Sequence, residues 1–139
     1  MSRFVLDASV ALAWCFPDEE SQPAERVADL FRHGHTAIAP AFWPHEVLNA
    51  LLAAEKRKRI STQLVQSFLG DLGALPVALE QVATGLVFSR ILTLSREHEL
   101  TAYDAAYLDL AIGSGLPLAT LDKDLLKACR EVGAEVMGD

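Results

Sequence analysis

Cysteine is scarce in this 139-residue chain: Cys15 and Cys129 stand far apart and form no C-x-x-C. Neither a disulfide scaffold nor a redox motif is expected, and the two read as small buried apolar side chains in a reducing compartment. Aromatic residues are 7% of the chain, few for a module that reads single-stranded nucleic acid along a stacking surface. Cations are in the minority, Lys+Arg 12 against Asp+Glu 19, for a net charge of -7. That balance excludes a protein held on nucleic acid by its overall field, but not an enzyme that works through a local patch or bound cations. The apolar run from Phe4 to Phe16 contains Asp7 and leads to no small-residue cleavage site, so it does not read as an export signal. No other segment has about 18 uninterrupted apolar residues, and no membrane span is expected. Missing too are the phosphate-binding loops G-x-x-x-x-G-K-S/T and G-x-G-x-x-G, so nucleotide cofactors have no support. A cytoplasmic protein is expected.

What is present is a globular composition, 51% hydrophobic and 22% charged, at a length that suits a single domain over residues 1–139. Short apolar runs alternate with longer helical stretches. Phe4-Val5-Leu6 predicts a buried strand ending at Asp7, and Ser9 opens a short helix that Pro17 stops. Pro23 suits the first turn of a helix running to Gly34, and 36–39 predicts a second strand. Helices are expected over about 43–59 and 61–70, with a third strand over 75–79. Residues 81–98 read as one long amphipathic helix with Val82, Leu86, Ile91 and Leu94 toward the core. A helix over 101–112 meets the stop Gly113-Ser114-Gly115, and 117–121, 123–130 and 135–137 predict a strand, a helix and an edge strand. Strands separated by helices imply an α/β fold with helices on both faces of a mostly parallel sheet.

In such a sheet, ligands bind in the crevice at the carboxyl ends of the strands. Asp7 ends the first strand, and Asp122 ends the last long one, with Thr120 two residues earlier on the same side. Glu46 opens the helix after the second strand, with Asn49 one turn on. Asp104 lies in the first turn of the 101–112 helix. Each acid also has a plain structural reading. Asp7 and Asp122 suit helix caps, Thr101 and Asp104 have the form of a capping box, and Glu46 complements its own helix. Four acids at four junctions weaken that reading, and Tyr103, Ala105 and Leu121 give Asp104 and Asp122 a setting closer to the core than caps need. Carboxylates that converge repel one another unless a cation intervenes, and hard oxygen donors without Cys or His select Mg²⁺ or Mn²⁺.

The same residues carry a resemblance. Val5-Leu6-Asp7-Ala8-Ser9-Val10, Pro44-His45-Glu46-Val47-Leu48-Asn49-Ala50-Leu51, Tyr103-Asp104-Ala105-Ala106-Tyr107 and Leu118-Ala119-Thr120-Leu121-Asp122 occur in the order and spacing of a PIN domain. Within that family the chain is similar to the VapC toxins of bacterial toxin–antitoxin pairs, over essentially its whole length. The resemblance implies a three-layer α/β/α PIN-like domain and an endoribonuclease dependent on Mg²⁺ or Mn²⁺, whose products carry 5′-phosphate and 3′-hydroxyl ends. It implies that Asp7, Glu46, Asp104 and Asp122 form the acidic metal site. Ser9, Asn49 and Thr120 would be polar supports around it, and Asp124 an outer acid. A homodimer and a small VapB-like antitoxin that blocks the site, often with an arginine, are the implied partners.

Other motifs carry less. His45-Glu46-Val47-Leu48-Asn49 approaches the zinc-protease H-E-x-x-H, but Asn49 stands where the second histidine is needed. His33 and His35 flank a helix stop and read as loop or C-cap residues. Lys56-Arg57-Lys58-Arg59 is the one concentrated basic run, read as a solvated helix end or a phosphate-tracking patch that Arg90 and Arg96 extend. Trp14, Phe16, Phe42 and Trp43 read as core or interface anchors. Two rivals stand beside the nuclease: a non-catalytic PIN-like binding module and another Mg²⁺-dependent phosphohydrolase. A haloacid-dehalogenase-type site wants D-x-D after the first strand, where Ser9 occupies the second place.

Overall fold

The computed structural model describes residues 2–16 and 18–137. Strand β1 (Arg3–Leu6) is buried beyond its first residue, with Phe4, Val5 and Leu6 all 0% exposed. A strand covered on both faces carries an unbroken apolar run, which is what these residues supply. On one side β1 pairs in parallel with β2 (Thr36–Pro40), which pairs in parallel with β3 (Val77–Glu80). On the other side β1 pairs in parallel with the two-residue β4 (Leu118–Ala119). The order is therefore β3-β2-β1-β4.

Parallel neighbours need long crossovers, and helices supply them. Helices α1 (Ala8–Cys15) and α2 (Gln22–Arg32) join β1 to β2, and α3 (Trp43–Lys56) and α4 (Thr62–Gly73) join β2 to β3. The third crossover is α5 (Thr84–Leu86), a π-helical turn (Val87–Ile91), α6 (Leu92–His98) and α7 (Ala102–Ser114); α8 (Lys123–Val132) follows β4. The expected α/β/α arrangement holds, with a sheet that is parallel throughout. Because the last crossover carries the chain past β1 to its other side, the strand order reverses between β1 and β4. A crevice opens at the carboxyl ends of strands at such a reversal.

Helix α7 is the buried hub. Ala105, Ala106, Tyr107, Leu108, Asp109 and Ala111 are all buried, and the helix packs on β1, β2, α6 and α8. Its alanines let neighbouring elements approach closely, while Tyr107 and Leu108, both 0% exposed, fill the remaining volume. Each such side chain contributes about 1.5–3 kcal/mol by burial. Thr101 Oγ1 caps the start by accepting the Asp104 N–H at 3.1 Å, and Gly115 closes the end at φ +66°. Only glycine adopts that left-handed turn without strain.

Several expectations shift. The helix placed at 81–98 begins at Thr84 and widens into the π-helical turn. A π turn inserts a residue into the 3.6 period and rotates everything beyond it. Ile91 is buried as expected, Leu94 is half-buried, but Leu86 is left 39% exposed and Phe88 72% exposed. Helix α3 ends at Lys56 rather than 59, and α4 extends to Gly73 rather than 70. Strand β3 starts at Val77 rather than 75, the Pro76 carbonyl accepting from Ala37 N–H at 3.0 Å. The edge strand at 135–137 reduces to one bridge between Leu118 and Val136, since β4 is only two residues long. Pro17, expected to stop α1, lies outside the described residues.

Candidate active site

Asp7 is the residue at which β1 becomes α1. Its backbone is extended (φ -79°, ψ 148°) and its N–H donates to the Ala119 carbonyl at 3.0 Å, which ties the end of β1 to β4. The side chain makes no cap hydrogen bond. Instead Asp7 Oδ2 accepts from Ser9 Oγ at 2.7 Å and from Thr120 Oγ1 at 2.6 Å. Each hydroxyl in turn accepts a backbone amide, Ser9 Oγ from Leu121 N–H at 2.9 Å and Thr120 Oγ1 from Asp122 N–H at 3.1 Å. A hydroxyl has one proton, and both are directed at the same carboxylate oxygen. The network therefore runs one way, from the amides of the β4–α8 turn through two hydroxyls to Asp7. With Asp7 only 4% exposed, burial pushes its pKa up; the two hydroxyls hold it down and the charge of Asp122 pushes it up again.

Asp122 performs the structural task expected of it: Oδ1 accepts the Leu125 N–H at 2.9 Å and caps α8. The cap does not neutralise it, because its charge acts on Asp7, Glu46 and Asp104. Glu46 lies in the first turn of α3 and accepts a 2.6 Å hydrogen bond from Tyr107 Oη. Burial raises its pKa most, the Tyr107 hydroxyl lowers it, and Asp7 and Asp122 raise it. Tyr107 is itself pushed upward by burial and by Asp7 and Glu46, so its hydroxyl stays a donor. Asp104, half-buried in the first turn of α7, feels the others most. Burial first, then the charges of Asp122, Asp7, Glu46 and Asp124, push its carboxyl up to about 7.

The four acids thus come from four junctions into one electrostatic neighbourhood. Ser9 and Thr120 stand as supports of Asp7, and the outer Asp124 is exposed but contributes to the field at Asp104. Asn49 is exposed and lines, with Glu46, a cavity of about 540 Å³. Tyr107 is the residue the sequence reading passed over as a participant. Its signal was there, three positions after Asp104 and so on the same helical face. Two of the cations placed in a phosphate-tracking patch are otherwise engaged. Arg59 binds Asp18 and Glu19 and sits 4.1 Å from the Phe16 ring centre. Arg90 forms a two-point pair with the buried Asp109, at 2.9 Å for each bond. Tyr103 is not a core-like flank of Asp104 either, being 59% exposed. His33 caps α2, its Nδ1 2.8 Å from the Asp29 carbonyl.

Among the described residues, no three His, Cys, Asp or Glu side chains form a ready-made metal cage. The donor set nonetheless suits a hard divalent cation. Mg²⁺ retains several of its waters and needs only one or two direct carboxylates, so charge and oxygen donors matter more than a closed cage. The charges that raise Asp7, Glu46 and Asp104 all come from other carboxylates, and a cation relieves that repulsion.

A family model described as PIN domain matches residues 4–131. Ribonuclease VapC3 of Pyrobaculum aerophilum is 32% identical over 123 residues, 88% of this chain and 92% of that protein. Among solved structures, PAE2754 from Pyrobaculum aerophilum superposes with a TM-score of 0.64 at 20% identity, covering 91% of this chain and 84% of that one. A toxin-antitoxin complex from Klebsiella pneumoniae gives a TM-score of 0.57 at 12% identity, over 98% of each chain. At these identities the two structures speak for the fold.

Proposed function

The chain belongs to the PIN domain family, and from that premise we propose that its acidic cleft is the active site of a divalent-metal-dependent endoribonuclease. The observation that carries this reading is the gathering of Asp7, Glu46, Asp104 and Asp122 from four junctions: burial first, and then the charges of the other carboxylates, push Asp104 up to about 7. These four side chains would hold Mg²⁺ or Mn²⁺. A bound ion of that kind supplies positive charge to the phosphoryl oxygens and acidifies a bound water.

The chain's own residues do the rest. Ser9 and Thr120 hold the Asp7 carboxylate in one orientation and, by donating to Oδ2, favour its ionised form against the burial that raises its pKa. Tyr107 does the same for Glu46 from the opposite side of the sequence. One of the four carboxylates would accept a proton from the hydrolytic water. Asp122 holds its place by capping α8, so its charge is delivered at a fixed point. No side-chain nucleophile is required.

The likeness to Ribonuclease VapC3 supports RNA as the substrate and a role as the toxin of a toxin–antitoxin pair. The proposed antitoxin is a small protein that places a guanidinium among the carboxylates, where its charge substitutes for the cation's. A homodimer is proposed with it; the exposed Phe88 and Leu92, one helical turn apart, are apolar surface for such contacts.

The test is cleavage of total cellular RNA by the antitoxin-free protein with Mg²⁺ or Mn²⁺, with chelator, and with Asp104→Asn. Discrete fragments with 5′-phosphate ends that require both metal and Asp104 are expected. A non-catalytic binding module on the same fold is the second reading. It predicts no cleavage and no effect of Asp104→Asn.

A further inference from the structure

Three aromatic rings lead from the carboxylates to solvent. Tyr107 holds Glu46 through its hydroxyl at 2.6 Å. The Phe42 ring meets Tyr107 edge-on, with centroids 5.6 Å apart, and meets Tyr103 in the same manner at 5.1 Å. Tyr103 immediately precedes Asp104 and is 59% exposed, although α7 is otherwise the buried hub of the fold.

Two cavities share the Phe42–Tyr103 pair. The cavity of about 540 Å³ continues to His45, Glu46 and Asn49. The other, about 290 Å³, is walled by apolar groups such as Pro40, Val87 and Ile91, with Glu80 and Gln81 also in its lining. The pair therefore stands between two mostly apolar recesses, the larger of which, walled also by Leu48 and Leu52, holds a site carboxylate.

An acidic cleft gains little from the phosphate backbone, and Arg59 and Arg90 are bound to carboxylates of the fold. With these two cations engaged, contacts to the bases themselves add binding energy that backbone charge at the cleft supplies less of. A flat exposed ring beside the reacting centre supplies it by stacking, which any base accepts on its π-face. A base reaches such a ring only when unpaired, since duplex RNA keeps its base faces inside the stack.

Resting on the ribonuclease reading, we propose that the Phe42–Tyr103 pair is the platform on which one unpaired nucleobase stacks, next to the phosphate addressed by the carboxylates. Tyr103 is then a substrate-positioning and specificity residue. Glu80 and Gln81, in the lining of the smaller recess that the pair borders, supply polar groups on that side of the platform. Low aromatic content excludes an extended stacking surface but not a platform for one base.

The test uses the full chain and short single-stranded RNAs carrying 2-aminopurine at one position at a time. Bound to Asp104→Asn, which separates binding from cleavage, the probe is expected to lose fluorescence at one position beside the cut. Adding Tyr103→Ala or Tyr103→Leu should abolish that quenching, and Tyr103→Phe should restore it. In steady-state cleavage, Tyr103→Ala should raise KM roughly tenfold and leave kcat within about threefold. Tyr103→Leu keeps an apolar contact to Phe42 and so guards against a loss that is only structural. Quenching with no cleavage by the wild type would overturn the ribonuclease reading and leave the platform standing. Normal wild-type cleavage with KM, fragment pattern and quenching unmoved by Tyr103→Ala would overturn the platform alone. A Tyr103→Ala variant that turns a dimer into a monomer in sedimentation, with KM and quenching intact, would also overturn it and make this face a contact between copies.

Discussion

Tyr107 Oη donates a 2.6 Å hydrogen bond to Glu46 across 61 residues of sequence, joining the buried face of α7 to the first turn of α3. The bond fixes where the Glu46 carboxylate lies relative to Asp104, which is on the same helical face as Tyr107. Because the tyrosine is fully buried, its hydroxyl has no water to turn to, and the carboxylate becomes its natural acceptor.

Tyr107→Phe removes that donor and nothing else of size. The half-buried Glu46 loses its stabilising partner and its pKa rises further above the ordinary carboxylate value. A loss of about 1–2 kcal/mol in urea unfolding at pH 7 is expected. RNA cleavage should fall as well, because Glu46 is then free to turn away from the cleft.

Thr120→Val tests the one-way hydroxyl network. The valine keeps the volume, but Asp7 loses its 2.6 Å donor and the Asp122 N–H loses its 3.1 Å acceptor. About 1–3 kcal/mol of destabilisation is expected at pH 8. Asp7 already has a raised pKa, and losing a donor to its ionised form raises it more. The cost should shrink as pH falls through the raised Asp7 value, because a protonated carboxyl no longer depends on that donor. A cost independent of pH would show that the hydroxyl does not act through the Asp7 charge.

Without metal, the protein should lose stability as pH rises toward neutrality. Asp104 titrates at about 7 when folded against an ordinary value of 3.8. Between those values the folded chain holds a proton that the unfolded chain has released, so stability falls with rising pH in this window and levels off above about 7. Asp104→Asn removes this contribution to the slope, and its melting temperature should exceed that of the wild type at pH 8 but match it near pH 4. Thermal melts in chelator across that range decide it.

Divalent metal should reverse the same repulsion. Millimolar Mg²⁺ or Mn²⁺ is expected to raise the wild-type melting temperature, by about 2.7 kcal/mol of stability at a hundredfold excess over Kd. Asp7→Asn should stabilise the metal-free form and blunt the response. A wild-type melt indifferent to both metals would dissolve the case for a cation site.

The elements whose cause is local were legible from the residues alone. Thr101 announced the start of α7 and glycines the ends of α2 and α7, because a cap depends on neighbours within one turn. The apolar run before Asp7 announced a buried parallel strand, and the acids at junctions announced where a crevice would place charge. Periodicity failed beside the π turn at Leu86, expected in the core and left 39% exposed, while Ile91 is buried as expected. What only the tertiary structure decided are the pairings made across crossovers. Thr120 reaches Asp7 over 113 residues, Arg90 is taken by Asp109, and Arg59 is held over Phe16 by Asp18 and Glu19. Even the pKa of Asp104 belongs to this class, since it depends on burial and on carboxylates from three other stretches of chain. Local chemistry is written into consecutive residues, whereas the distance between two charges is set by how the helices return the chain to the sheet.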